Sequence, residues 1–316
     1  MAQDRLSEVF DLVEVRGVLT GGVVARGAWR AGAAVGHPLK FFAMLSGSAR
    51  LMAGRLEEPI ELVAGDIGIL NGPAWVEWRG GPDDEMPHDA VVQDFPPLAL
   101  DGAAADGAAD VFVGGRIDLN PAGESLLLAA LPPLCHVRAA EASPALRATV
   151  DLLLAELATP GLGSEFALRQ HGQLLLLEML RAYVAQAEVP PGWLRLLADR
   201  QLRPALDLMH SEPGHPWGLH DLARAATMSR TTFAERFRDV AGVPPLTYLS
   251  RWRMMLAQRA LRDGDTRVAQ LAAQLGYGSE SAFSNAFKRE TGLSPMGYRR
   301  EVRARAAASR EPVPAA

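Results

Sequence analysis

Apolar residues recur with one period in the first third of the chain and with another after it. Over residues 1–120, short runs (VLTGGVVARGAW, LKFFAML, PIELVAGDIGIL, AWVEW) are separated by Gly, Pro and Asn turns. That spacing predicts strands of a small barrel or sandwich. Residues 82–110 are rich in Asp, Ala, Gly and Pro with little pattern, which predicts a loop. From about 144 the period becomes helical: PALRATVDLLLAELA, then SEFALRQHGQLLLLEMLRAYVAQAE, split by the breaker TPGLG and ended by EVPPGW at 188–193. Residues 194–305 are helical in pattern throughout, with regular Gly/Pro punctuation.

Within that last stretch one phrase occurs twice. SRTTFAERFRDVAGVPPLTY at 229–248 and SESAFSNAFKRETGLSPMGY at 279–298 share Ser229/Ser279, Phe233/Phe283, Phe237/Phe287, Gly242/Gly292, Pro245/Pro295 and Tyr248/Tyr298. A duplication of this size marks one supersecondary unit used twice. In the first copy LHDLARAA leads through a short turn into a helix that Ser229 can cap. In the second, TRVAQLAAQL leads through GYG into one capped by Ser279. Two short helices about a tight turn are helix-turn-helix grammar.

At 100° per residue, Phe233, Phe237 and Val240 share one face, and Thr231, Ala234, Glu235 and Arg238 lie opposite. In the second copy Phe283 and Phe287 are core, while Ser281, Ser284, Asn285 and Lys288 face out. A small polar face with a cation near its end suits a major groove about 12 Å wide. The segment between the units is expected to be helical from 245 to 263, a rod of about 28 Å. Successive major grooves on one side of a duplex recur about every 34 Å.

Charge sharpens this division. The chain carries a net −5, but residues 199–305 hold 17 Lys/Arg against 11 Asp/Glu, and residues 1–198 hold 14 against 25. An acidic body with a basic end points to a polyanion partner for the end alone; charge by itself leaves a solvated surface equally open. Candidate phosphate anchors are Arg230, Arg238, Arg251, Arg253, Arg259, Ser279, Lys288, Arg299, Arg300 and Arg303. Arg outnumbers Lys 30 to 2, read as codon bias. One cysteine, Cys135, excludes an internal disulfide and fits a reducing cytoplasm. MAQDRLSEVF has no signal-peptide core, and the greasiest run, LLLLEML, is far shorter than the roughly 20 residues of a membrane span. A cytoplasmic location without a membrane partner is expected.

The residues 199–305 resemble the DNA-binding domain of the AraC family of bacterial transcription regulators. The match is carried by LARAATMSRTTFAERFRDVAGVPPLTYLSRWRM and, more specifically, by VAQLAAQLGYGSESAFSNAFKRETGLSPMGYRR. The resemblance implies seven helices, two of them recognition helices, and assigns base contacts to Thr231, Ala234 and Glu235 and to Ser281, Ser284 and Asn285. Glu235 departs from the Arg or Gln often found there. It either accepts from a cytosine N4 amino group or repels phosphate.

More weakly, DRLSEVFDLVEVR, GDIGIL, FVGGRIDL and LLLAALPPLCHV resemble the cupin-type N-terminal domain of one AraC branch. Cupin catalysis needs several His and a Glu on one metal. The seven His residues are scattered here, with Phe42 at the most probable ligand position, so no metal, no cofactor and no enzyme activity are expected. Phe42 and Met44 alternate onto one face of their strand, and Trp75 and Glu77 onto one face of theirs. If both faces point inward they line an effector pocket; the alternative is plain core. Arg116 is either a partner for an effector carboxylate or a surface residue. The helices at 144–187, apolar almost all round, are expected to bury against the barrel and a second subunit, with purely intramolecular packing as the alternative.

The expected architecture is therefore α+β and multidomain: a cupin-like sensor barrel (1–140), a helical dimerisation and linker region (141–193), an all-α DNA-binding domain with two helix-turn-helix units (194–305) and a disordered tail (306–316). The expected function is a sequence-specific, effector-responsive activator, homodimeric, bound to double-stranded DNA, answering a small organic effector and contacting RNA polymerase, with repression physically just as open. The alternatives are a metal-dependent cupin enzyme with an accessory DNA module, and a ligand-independent dimeric repressor.

Overall fold

The computed structural model describes residues 5–13, 16–82, 84–94, 109–120, 123–124, 127–128, 131–159, 161–185 and 189–308. They form two compact units, residues 13–190 and residues 191–316 together with 1–12.

The first unit holds strands β1 (Arg16–Ala25), β2 (Trp29–Ala34), β3 (Leu39–Ser46), β4 (Ser48–Ala53), β5 (Ile60–Val63), β6 (Ile67–Asn71), β7 (Trp75–Gly80), β8 (His88–Asp89), β9 (Gln93–Asp94), β10 (Asp110–Asp118) and β11 (Leu134–Val137). Two sheets, ordered β11-β6-β3-β10-β1-β9 and β5-β4-β7-β2-β8, enclose a core that includes Trp29, Phe42, Met44, Leu51, Leu62 and Phe112. Burying side chains of this size contributes about 1.5–3 kcal/mol each. Buried Asp66 fastens the entry to the helices: its carboxylate accepts from Ala139 N at 2.7 Å and faces His136 Nε2 at 3.2 Å. Much of the loop expected at 82–110, residues 95–108, lies outside the described residues.

Two helices follow, α2 (Pro144–Ala158) and α3 (Ser164–Ala185). Ser143 caps α2 by accepting from Leu146 N at 3.1 Å, and Pro144 opens it. One side of α3, with Leu175, Leu176, Met179 and Leu180, is buried, and Gln173 Oε1 accepts from Gly17 N at 2.8 Å. Among the described residues, Leu152 of α2 and Phe166 and Leu174 of α3 remain exposed.

The second unit is helical: α4 (Trp193–Ala198), α5 (Arg203–Ser211), α6 (Leu219–Ala225), α7 (Arg230–Ala241), α8 (Pro245–Asp263), α9 (Val268–Gln274), α10 (Glu280–Thr291) and α11 (Pro295–Ala308). Helix α1 (Arg5–Val13), which the sequence groups with the barrel, contributes residues up to Leu12 to this unit, with Val9 and Leu12 buried. Helix α11 runs to Ala308, and the rest of the expected tail, 309–316, lies outside the described residues.

Candidate nucleic-acid interface

The duplicated residues build one scaffold twice. Ser229 Oγ accepts from Thr232 N at 3.2 Å to start α7, and Ser279 Oγ accepts from Ala282 N at 3.1 Å to start α10. Left-handed Gly242 and Gly292, at φ 72° and 77°, end them, each N–H donating at 2.8 Å to the carbonyl four residues back. Phe233 and Phe237 meet at 5.7 Å between centroids, and Phe237 meets Tyr248 edge-on at 5.6 Å. In the second copy Phe283 and Phe287 meet at 5.8 Å, and Phe287 meets Tyr298 edge-on at 5.5 Å.

The turns that precede these helices correspond with an offset of 49 rather than 50. Thr227 N bonds Arg224 O and Met228 N bonds Ala223 O, as Gly276 N bonds Ala273 O and Tyr277 N bonds Ala272 O. Gly278 is thus an inserted residue in the second copy. Thr227, at φ 57°, holds the left-handed position that Gly276 fills at 75°, and it is the one non-glycine residue at positive φ among those described. A side chain at Gly276 is also blocked, since its Cβ would come 2.3 Å from Gly214 O.

Held on this scaffold, Thr231, Glu235, Arg238, Ser281, Asn285 and Lys288 are exposed, and Ala234 and Ser284 half-buried, on the faces opposite the phenylalanines. Glu235 makes no ion pair with a described residue. The same is true of the exposed cations Arg230, Arg238, Lys288 and Arg300. Arg251 lies 3.9 Å from Glu290, Arg259 lies 3.6 Å from Asp263, and Arg303 is bonded to Asp265, all at exposed positions where such pairs are weak.

Two expected phosphate anchors are internal fasteners instead. Arg253 donates to the carbonyls of Pro213 at 2.6 Å and His215 at 2.9 Å and lies over the Tyr277 ring, and burial lowers its pKa. Arg299 is buried and donates to Thr266 O. Arg253 ties down the loop that leads into the first helix-turn-helix unit and Arg299 the linker that leads into the second, and neither guanidinium is presented to solvent as a free charge.

The barrel interior also differs from expectation. Phe42 and Met44 do face inward, but Met44 is fully buried in the core. Strand β7 has the opposite phase: Val76 and Trp78 are buried, whereas Trp75 is 43% exposed and Glu77 accepts from Arg79 Nε at 2.5 Å. A one-residue slip in register exchanges the faces of a strand, and Trp75 and Glu77 therefore lie outside. Arg116 pairs with Asp118 at 2.8 Å and sits opposite Lys40 in the β3–β10 register. A cavity of about 210 Å3 opens among Thr20, Lys40, Phe42, Val76, Trp78 and Phe112. Of these only Phe42 was singled out by the sequence; the rarity of lysine was the one available signal for Lys40.

Among the described residues no group of three or more His, Cys, Asp or Glu side chains is placed to hold a metal ion, and no helix is long and apolar enough to cross a membrane.

Residues 4–185 match the cupin family, and residues 222–301 match a helix-turn-helix domain. An AraC-like transcription regulator of Streptomyces lividans is 35% identical over 301 residues, spanning 94% of this chain and 98% of its own. The HTH-type transcriptional regulator AlkR of Acinetobacter baylyi is 34% identical over 192 residues, 60% of this chain and 62% of its own. The DNA-binding domain of AdpA, solved in complex with a target DNA, is 34% identical and covers 34% of this chain and 98% of that domain, with a TM-score of 0.33.

Proposed function

Because the chain belongs to the AraC-like transcription regulators and carries their helix-turn-helix domain behind a cupin domain, we propose that α7 and α10 are its two recognition helices and enter successive major grooves on one side of a duplex. The observation that carries this reading is a scaffold whose cap, core and stop residues recur beneath two different polar faces. The shared positions are those of cap, core and stop. Among the positions that differ, Thr231 against Ser281 and Glu235 against Asn285 are exposed and Ala234 against Ser284 half-buried, on the face opposite the phenylalanines. The 19-residue α8 between the units, about 28 Å long, suits the groove repeat of about 34 Å. Exposed Arg230, Arg238, Lys288 and Arg300 supply phosphate contacts, and Thr231, Glu235, Ser281 and Asn285, with Ala234 and Ser284, meet bases.

The regulator acts as a homodimer through the side of α2 and α3 on which Leu152, Phe166 and Leu174 are exposed. Its barrel receives a small organic effector, and the bound form activates transcription by contacting RNA polymerase. Selection of duplexes from a random pool by the full chain, with and without metabolite mixtures, tests the reading. The expected outcome is two short preferred blocks about 10 base pairs apart. A single block, or no preference over random competitor at moderate salt, overturns it.

A further inference from the structure

We propose that the cavity in the barrel is the effector site, and that its ligand is a small aromatic carboxylic acid, held by its carboxylate at Lys40 and by its ring against Trp78 and Phe112. This rests on the effector-responsive reading above and adds the site and the chemistry of the ligand.

The charge requirement comes from Lys40. It is one of two lysines in the chain, lies half-buried on the cavity wall, and has no carboxylate in ion-pair distance among the described residues. Burial alone pushes its pKa down, the mark of an ammonium that has lost water and gained no counter-charge. Arg116 stands directly opposite Lys40 across the β3–β10 pair. Directly opposed residues point to the same side of a sheet with Cβ atoms about 5 Å apart. Asp118 already answers Arg116, which leaves an excess positive charge at the cavity wall. An anion arriving there would offset the desolvation of Lys40.

The ring requirement comes from the walls. Trp78 and Phe112 stack at 4.2 Å with 18° between planes, and Phe42 meets Trp78 edge-on at 5.0 Å. A third ring continues such a cluster with offset-stacked or edge-to-face contacts. Size comes from the volume. Pockets for drug-sized ligands hold about 300–1,000 Å3, so a cavity of about 210 Å3 takes a single ring with a short acid arm and excludes a long chain.

The space itself is not forced by the backbone. Gly114 lies on the cavity wall, its φ is not left-handed, and a Cβ there would meet nothing nearer than Phe41 O at 3.6 Å. Its neighbour Gly115 is different, because a Cβ would come within 2.3 Å of Val18 O. Glycine is required at 115 by packing. At 114 a larger residue would fit the fold and fill the cavity.

Titration calorimetry of the full chain with benzoate and phenylacetate, and with benzamide as the uncharged analogue, tests the proposal. One of the two acids is expected to bind at least tenfold more tightly than benzamide. Lys40→Met is expected to abolish that preference while leaving benzamide binding unchanged. Gly114→Val is expected to remove binding of acid and amide alike without lowering the melting temperature. The proposal is overturned if neither acid binds at millimolar concentration, or if Lys40→Met protein discriminates acid from amide as the parent does. Duplex selection with the same proteins separates this inference from the reading beneath it. Acid binding with the stated preferences and no change in duplex occupancy sustains the site and removes effector control. A metabolite that alters duplex selection equally in the parent, Lys40→Met and Gly114→Val proteins removes the site and sustains effector control.

Discussion

Glu8 Oε2 lies 3.5 Å from Nδ1 of His210, joining the first helix of the chain to the second helix of the C-terminal unit. The other ring nitrogen of His210 is 2.8 Å from Tyr248 Oη, and the imidazole lies parallel to Trp252 at 3.7 Å. This histidine is buried and engaged on both edges and one face. His210→Ala should lower the stability of the C-terminal unit by about 2–4 kcal/mol, from a lost stack, a cavity and a stranded tyrosine hydroxyl. Glu8→Ala should cost less, about 0.5–1.5 kcal/mol, and should speed hydrogen exchange in residues 5–13 specifically. Chemical denaturation and exchange mass spectrometry read the two effects. Unchanged exchange in α1 would show that Val9 and Leu12 hold the helix without the polar pair.

The two turns predict opposite responses to substitution. A β-branched residue at positive φ is strained, so Thr227→Gly should stabilise by about 0.5–1 kcal/mol after the extra entropy of glycine in the unfolded chain is counted. Gly276→Ala should destabilise by more than that, since its Cβ has no room beside Gly214 O. Melting curves of the two variants settle both signs.

The arginines separate into two groups by experiment. Alanine at Arg230, Arg238, Lys288 or Arg300 should each reduce the slope of log affinity against log salt by about one and leave melting unchanged. Alanine at Arg253 or Arg299 should lower stability by about 1–3 kcal/mol, because buried or half-buried guanidinium contacts to carbonyls are lost. Binding isotherms at several salt concentrations, set beside melting curves, distinguish the groups.

Exposed, and without an ion pair to a described residue, Glu235 is proposed to accept from a cytosine amino group. Site selection with Glu235→Ala should relax the preference at one base position and raise affinity for random DNA, as a carboxylate is removed from beside phosphates. Unchanged preference at every position would remove the base-reading role.

Alkaline pH tests the barrel. Cys135 is fully buried and hydrogen-bonded to Tyr183, and burial pushes its thiol up to about 12. The unfolded thiol ionises near 8.5. Between those values the unfolded chain releases a proton that the folded chain keeps, so stability is whole below about pH 8.5 and declines above it, by up to about 1.4 kcal/mol per pH unit. Cys135→Ala should flatten that decline between pH 9 and 10, and native protein should resist iodoacetamide at pH 8.

The reader domain was legible because its periodicity and its caps are local. Ser229, Gly242, Pro245 and their counterparts state helix starts and stops within a few residues of where they act, and α8 spans the residues its pattern indicates. The barrel was legible only in outline. In AWVEW both faces of the strand carry tryptophan, so alternation alone does not say which tryptophan is inside, and burial selects Trp78 over Trp75. Arg253 and Arg299 were misassigned for a related reason. Their partners are backbone carbonyls 33–40 residues away, which no side-chain pattern advertises.

Counting α1 with the helical unit turns the barrel into an insertion. The polypeptide leaves that unit after Leu12 and re-enters it at Pro191. A protease must cut both crossings before the halves can part, and a fragment starting at 191 would lack Val9 and Leu12 from its own core. The first crossing leads within a few residues into β1, which supplies Thr20, Gly21 and Gly22 to the cavity wall, so the wall of the barrel and the helix seated beside His210 are stretches of a single short thread.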